Sequence, residues 1–251
     1  INGRGPRIIA KIENHGGINN VHEIAEAADA IMIDRGDLSV ETSLHDIAIK
    51  QKHIIAAAQR YGKPVIVATE TLHTMIQNPF PTKAEVADIS NAVLDRCSAT
   101  MLSGETAIGA FPVEAVSTMS QVIDATESHL QSELKTSHLS AGKNVPEVLT
   151  SVIPTICRSL PITKIVAVTR SGFAARMIAT HQLSQPIIAV TDDATAVRSF
   201  NLIAGTKGVF SKEPFSRISS DHIIYVLRML WRKALILNDD IILVTGISYP
   251  T

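Results

Sequence analysis

The sequence predicts an α/β fold in two parts, a parallel sheet wrapped by helices and then a second α/β unit. Three observations predict it. Short apolar runs alternate with stretches of helical periodicity, which implies parallel strands joined by right-handed crossovers. Nearly every early run ends in polar or charged residues: Lys11/Glu13, Arg35/Asp37, Thr69/Glu70 and Ser103/Glu105. Polar groups gathered at the C-terminal ends of parallel strands mark an α/β site. Of 251 residues, 45% are hydrophobic and 19% charged, with a mean hydropathy of +0.19. That excludes a disordered chain and leaves ample material for a core.

In chain order, residues 8–13 read as a strand and residues 21–28 as a short helix. Residues 30–33 form a second strand that ends at Arg35-Gly36-Asp37. Residues 44–61 have helical periodicity and stop at Gly62, before a third strand over 64–69. Thr82 with Glu85 three residues on has the spacing of a capping box, opening a helix to Leu94. Residues 99–102 are the fourth strand, and Pro112 opens a helix that reaches about Ser128. Four βα units make half of a (β/α)8 barrel. A polar run then predicts a linker over 129–144. The second unit, 145–251, reads as helix 145–160 with Pro154 inside it, strands 164–169, 186–191, 208–210 and 240–245, and helices 172–181, 194–204 and 221–235. Trp231 and Met229 fall in the apolar stripe of the last helix and are expected in the core.

Composition bounds the partners. The formal net charge is −1, so no basic excess supports binding to nucleic acid or an anionic membrane. No apolar run approaches the roughly 18 residues of a membrane span. Cys97 and Cys157 build no disulfide framework and suit a reducing, cytoplasmic setting. The chain opens on Ile1, not Met, with no signal peptide in view, and stops at Thr251 after a strand-like run. It is expected to be a piece of a longer polypeptide or to lack residues at both ends.

Several residues offer chemistry. Lys11 and Glu13, two apart in a strand, face one side. They suit a rim ion pair, or a cation beside a carboxylate metal ligand. With Asp37 at the next strand end, Glu13 supplies the oxygen donors that Mg²⁺ or Mn²⁺ take; alternatively Asp37 caps the following segment. Arg35-Gly36-Asp37 also offers successive backbone N–H groups as an anion nest. Thr69 closes a strand and its hydroxyl can aim into the site. Ser103-Gly104-Glu105-Thr106 is a turn beside it. Thr169-Arg170-Ser171-Gly172, between strand and helix, either caps the helix or presents its N-terminus to a phosphate. The nine histidines show no metal spacing.

Taken together, Ile8–Asn14, Asp34–Leu38, Pro64–Thr69, Asn78–Glu85, Asn91–Asp95 and Met101–Thr106 resemble the pyruvate kinase family in order and spacing. Thr169–Gly172, Pro186–Thr191 and Val244–Gly246 resemble that family's C-terminal regulatory domain. The resemblance implies a partial TIM (β/α)8 barrel, its last four βα units, over 1–128, then a doubly wound α/β domain over 145–251. It implies phosphoryl transfer from phosphoenolpyruvate to ADP, giving pyruvate and ATP at the last step of glycolysis. Lys11 would stabilise the phosphoryl charge in transfer. Glu13 and Asp37 would hold Mg²⁺ or Mn²⁺. Backbone at Gly36 and Asp37 would bind the substrate carboxylate, and Thr69 would sit over the enolate face. Thr169, Arg170, Ser171 and Gly172 would receive the phosphate of an allosteric effector. K⁺ is implied, with its site outside this chain, as is a homo-oligomer, a tetramer in the family. The family's first barrel half and lid have no counterpart here, so the isolated chain is expected to turn over little or not at all.

Departures from the pattern are specific. Asp34 stands where the family has Ala, Ser39 where it has Gly, Glu70-Thr71 where it has Gln-Met, and Arg96 where it has Gly. Asp34 and Glu70 add negative charge beside the site. Asp221 falls where sugar-bisphosphate-activated members carry a second arginine. Two other readings stand beside the kinase: a metal-dependent pyruvate-enolate aldolase or lyase, and a non-catalytic truncated paralogue that binds a partner or a phosphorylated ligand.

Overall fold

The computed structural model describes residues 6–133, 145–181, 183–216 and 221–246. The chain divides into two compact units, 1–133 and 134–251.

The first unit runs β1 (Ile9–Ile12), α1 (His15–Asn19), α2 (Val21–Ala27), β2 (Ala30–Asp34), α3 (Arg35–Glu41), α4 (Ile47–Arg60), β3 (Val65–Ala68), α5 (Lys83–Leu94), β4 (Ala99–Thr100), α6 (Gly104–Ala107) and α7 (Pro112–Glu133). Its four strands are parallel and lie in sequence order, β1-β2-β3-β4. Register pairs Ile12 with Ile33 and Ile33 with Val67, and these three belong to one core packed under α2 and α4. Side chains alternate across a strand. Lys11, Met32 and Ile66 therefore line up on the opposite face. Glu13 and Asp34 share that parity at the C-terminal ends of β1 and β2, so the pleat alone puts Lys11, Glu13 and Asp34 on one side. A second core joins Ile89 and Val93 of α5 to Ala115 and Met119 of α7.

The second unit runs α8 (Val145–Ser159), β5 (Lys164–Val168), α9 (Phe173–Ala179), β6 (Ile187–Thr191), β7 (Thr206–Phe210), α10 (Asp221–Arg232) and β8 (Ile242–Gly246). All its strands are parallel, in the order β7-β6-β5-β8. β5 and β6 each feed two cores. Ile165, Ala167, Ile187 and Ala189 pack with Ile153, Cys157 and Ile178 on one face. Val166, Val168, Ile188 and Val190 pack with Val226 and Leu230 of α10 on the other. Helices on both faces and a switch in strand order between β5 and β8 make this sheet doubly wound.

Four expectations need correction. Arg35-Gly36-Asp37, read as the end of the second strand, lies past it: β2 ends at Asp34, which is the N-cap of α3, and α3 starts at Arg35. The fourth strand shrinks to Ala99–Thr100. The helix expected over 194–204 is a 3₁₀ turn, Val197–Leu202. Trp231 is exposed, and its indole N–H donates to Asn238 Oδ1 at 2.7 Å. Val226 and Leu230, four apart, take the buried stripe of α10, and Trp231 lies one residue, about 100°, off it. The helix from Pro112 continues through Glu133, into the expected linker; residues 134–144 lie outside the described residues.

Candidate active site

Three neighbouring strand ends build the site. Lys11 comes from β1 and Glu13 follows it. Asp34 ends β2, and α3 carries Gly36 and Asp37. Thr69 follows β3. The Lys11 ammonium lies 2.7 Å from Glu13 Oε2, 2.9 Å from Asp34 Oδ2 and 3.8 Å from Asp37 Oδ2. The hydrogen bonds to Glu13 and then Asp34 hold its pKa well above the ordinary lysine value. Burial raises the pKa of Asp34, but its hydrogen bonds from Lys11, Thr69 and the Asp37 N–H outweigh that and leave it below the usual carboxylate range.

Thr69 is held from several sides. Its Oγ1 accepts the Gly36 N–H at 2.8 Å. Its hydroxyl proton has two acceptors, Asp34 Oδ1 at 3.0 Å and the Ala68 carbonyl at 2.8 Å. Thr69 and Glu70 both have positive φ, 62° and 51°, a conformation disfavoured for a β-branched side chain. Arg35 pins that turn. Its buried guanidinium donates to the Thr69 carbonyl through Nε at 3.2 Å and Nη2 at 2.9 Å, and to the Glu70 carbonyl at 3.1 Å. It also pairs with Asp88 of α5.

All the first-unit residues expected in the site (Lys11, Glu13, Gly36, Asp37 and Thr69) thus meet at one end of the sheet. The expected nest at Gly36 and Asp37 is turned inward. Gly36 N–H points to Thr69, and Asp37 N–H to Asp34 Oδ1 at 3.5 Å. Ser103–Thr106 contributes support: the buried Glu105 carboxylate accepts the backbone N–H groups of Leu72 at 2.9 Å and Ser103 at 2.8 Å. Arg35 went unassigned from the sequence, and Asp34 entered only as a departure. For Arg35 the one available signal was a cation between the two acidic residues of the strand end.

A divalent metal fits this donor set. One carboxylate oxygen each from Glu13, Asp34 and Asp37 lies within 4.8 Å of the others. These are hard oxygen donors, the kind Mg²⁺ and Mn²⁺ prefer. Cys97 is removed from chemistry by burial, which pushes its thiol up to about 12.

In the second unit, Thr169–Gly172 joins β5 to α9. Arg170 is engaged by Asp192 at 2.9 and 3.1 Å and by the Phe215 carbonyl at 2.9 Å. Ser171 Oγ accepts the Phe173 N–H at 3.4 Å, and the Ser171 carbonyl accepts from Arg176 at 3.0 Å. Gly172 has φ +75°, and a Cβ there would come within 2.6 Å of the Phe200 ring.

Comparison with known proteins gives this geometry a context. Residues 2–116 match the family model "Pyruvate kinase, barrel domain", and residues 147–250 match "Pyruvate kinase, alpha/beta domain". "Pyruvate kinase 2" of Synechocystis is 40% identical over 206 residues, covering 82% of this chain and 34% of that protein. The pyruvate kinase of Borreliella burgdorferi is 37% identical over 243 residues, covering 96% of this chain and 50% of its own. A crystal structure of a pyruvate kinase from Cryptosporidium parvum superposes with a TM-score of 0.84 at 35% identity, over 96% of this chain and 50% of that one. The chain thus spans half or less of the length of these relatives. Two family models covering both units, and relatives alike over nearly the whole sequence, establish that the chain belongs to the pyruvate kinase family.

Proposed function

We propose that this chain is part of a pyruvate kinase, an enzyme that moves the phosphoryl group of phosphoenolpyruvate to ADP. The observation that carries the reading is the convergence of Lys11, Glu13, Asp37 and Thr69 on adjacent strand ends, in a chain similar to pyruvate kinases throughout. Phosphoryl transfer needs positioning and charge neutralisation more than covalent help. Lys11 supplies a fixed positive charge for the phosphoryl oxygens. Thr69 holds its hydroxyl at the site mouth, where it bears on the enolate face and the proton delivered there. The Gly36 and Asp37 N–H groups, turned toward Thr69 and Asp34, are left out of carboxylate binding in this reading. Glu13 and Asp37 would hold Mg²⁺ or Mn²⁺, which polarises the substrate oxygens when bound. K⁺, a homo-oligomeric state, a cytoplasmic location, a place in glycolysis and an effector phosphate at Thr169–Gly172 belong to the same proposal. Among the described residues no helix is long and apolar enough to cross a membrane.

The test uses the full natural polypeptide with phosphoenolpyruvate, ADP and Mg²⁺, following pyruvate formation. Glu13→Ala and Asp37→Ala should each lower metal-dependent turnover by at least about 100-fold while leaving the melting temperature nearly unchanged. Turnover that survives both substitutions would remove these two residues from the metal site.

A further inference from the structure

The donors assigned above to an anionic substrate already converge on one carboxylate of the chain itself. Asp34 Oδ2 faces the Lys11 ammonium at 2.9 Å. Its Oδ1 faces the Thr69 hydroxyl at 3.0 Å and the Asp37 N–H at 3.5 Å. These groups come from β1, from the segment after β3 and from α3, and nothing else in the site touches all of them. Asp34 also sits deepest: its side chain is 12% exposed, against 36% for Glu13 and 66% for Asp37. Glu13 and Asp37 are the more exposed of the three carboxylates, and Asp34 lies among the donors.

We propose that Asp34 is a built-in counter-anion, a positioning residue that holds Lys11 and Thr69 in place and weakens the hold of this site on anionic ligands. It rests on the proposed function only for the identity of the substrate. The charge balance states the consequence. One ammonium against three carboxylates gives the cluster a formal −2. A divalent cation brings that to zero, which leaves an anion little net attraction. Without the Asp34 charge, the same loaded site carries +1. Like charges a few ångströms apart in a partly desolvated site repel strongly enough to move binding by an order of magnitude.

Asp34→Asn removes the charge and, because its NH2 then faces the Lys11 ammonium, the acceptor for Lys11, while the amide oxygen still accepts from Thr69 and from the Asp37 N–H. Asp34→Ala removes charge and anchor together. Both are compared with the parent in the full natural polypeptide at saturating Mg²⁺. Calorimetry reads the binding of phosphoenolpyruvate and of inorganic phosphate, and steady-state kinetics run in parallel. Asp34→Asn should tighten both anions about ten-fold and lower KM for phosphoenolpyruvate. Asp34→Ala should also lower KM but reduce kcat, since Lys11 and Thr69 lose their shared partner. Unchanged or weaker binding of both anions by Asp34→Asn overturns the proposal, as does no binding of either anion by any of the proteins. A parent without turnover whose Asp34→Asn variant still gains phosphate affinity would sink the kinase reading and leave this one standing. Normal parental turnover without that gain would do the reverse.

Discussion

Arg35 does at residue scale what no short motif describes. It is buried against the end of β2 and spends its guanidinium on two carbonyls and one carboxylate. The carbonyls belong to Thr69 and Glu70, the two residues in left-handed conformation beside the site. A planar fork suits this task and a lysine does not. Arg35→Lys should keep the pairing with Asp88 yet release the turn, costing about 2–4 kcal/mol and lowering kcat through Thr69. Asp88→Asn should cost less, because the Asp88 side chain is 37% exposed and solvent screens its charge. Thermal unfolding of the two variants compares them directly. A smaller loss for Arg35→Lys than for Asp88→Asn would show that the ion pair, not the carbonyls, is what Arg35 contributes. Lys11, Glu13, Asp37 and Thr69 could be singled out as candidates because each lies at or just past the end of an apolar strand-like run. Arg35 was not, because its partners are backbone atoms 34 and 35 residues away.

Among the elements, three helices end in one way. After α4, Lys63 N–H returns to Ala58 O and Gly62 N–H to Gln59 O. After α5, Cys97 N–H returns to Ala92 O and Arg96 N–H to Val93 O. After α10, Leu235 N–H returns to Leu230 O and Ala234 N–H to Trp231 O. Each is a Schellman pair, and each needs a left-handed residue at the turn. Gly62, Arg96 and Ala234 have φ of 62°, 66° and 53°. Only the first is a glycine, so only α4 announces its end in the sequence. Arg96→Gly should stabilise the first unit by about 0.5–1 kcal/mol, the steric relief slightly offset by the greater freedom of glycine in the unfolded chain. A lower denaturation midpoint for this variant would mean that Arg96 makes a contact worth more than its strain. The start of α5 was readable. The Thr82–Glu85 capping box forms, with Glu85 Oε2 on Thr82 N–H at 2.7 Å and Thr82 Oγ1 on Glu85 N–H at 3.2 Å. Glu85 Oε1 takes Thr74 N–H as well, at 2.7 Å, which tertiary contact alone supplies.

Across the whole molecule, stability against acid depends on carboxylates with lowered pKa. Asp240 is the clearest. The hydrogen bond from Lys164, then those from the Leu237 N–H and the Thr163 hydroxyl, bring it down to about 2 from an ordinary 3.8. A group with a lowered folded-state pKa stabilises fully above its unfolded value. That contribution is lost as pH falls through the folded one. Asp240→Asn should therefore melt below the parent from about pH 5 upward, and the gap should close between about pH 4 and pH 2. Melting curves across that range check it, and a gap independent of pH would assign the loss to packing instead.

By itself the sequence determined the class of fold, the order of the main elements and the family. Those follow from periodicity, from polar strand ends and from motifs read along the chain, and all three survive without knowing any contact. The tertiary structure decided what each site residue faces. It turned Gly36 and Asp37 N–H inward, placed Asp34 between Lys11 and Thr69, and set Arg35 under a strained turn. It also split the second sheet's strands between two cores and left Trp231 outside both. The physical reason is the range of the interactions. Propensity and periodicity act over a few neighbouring residues, whereas hydrogen bonds and ion pairs between strand ends join residues 23 to 35 apart in the chain and exist only once the sheet has formed.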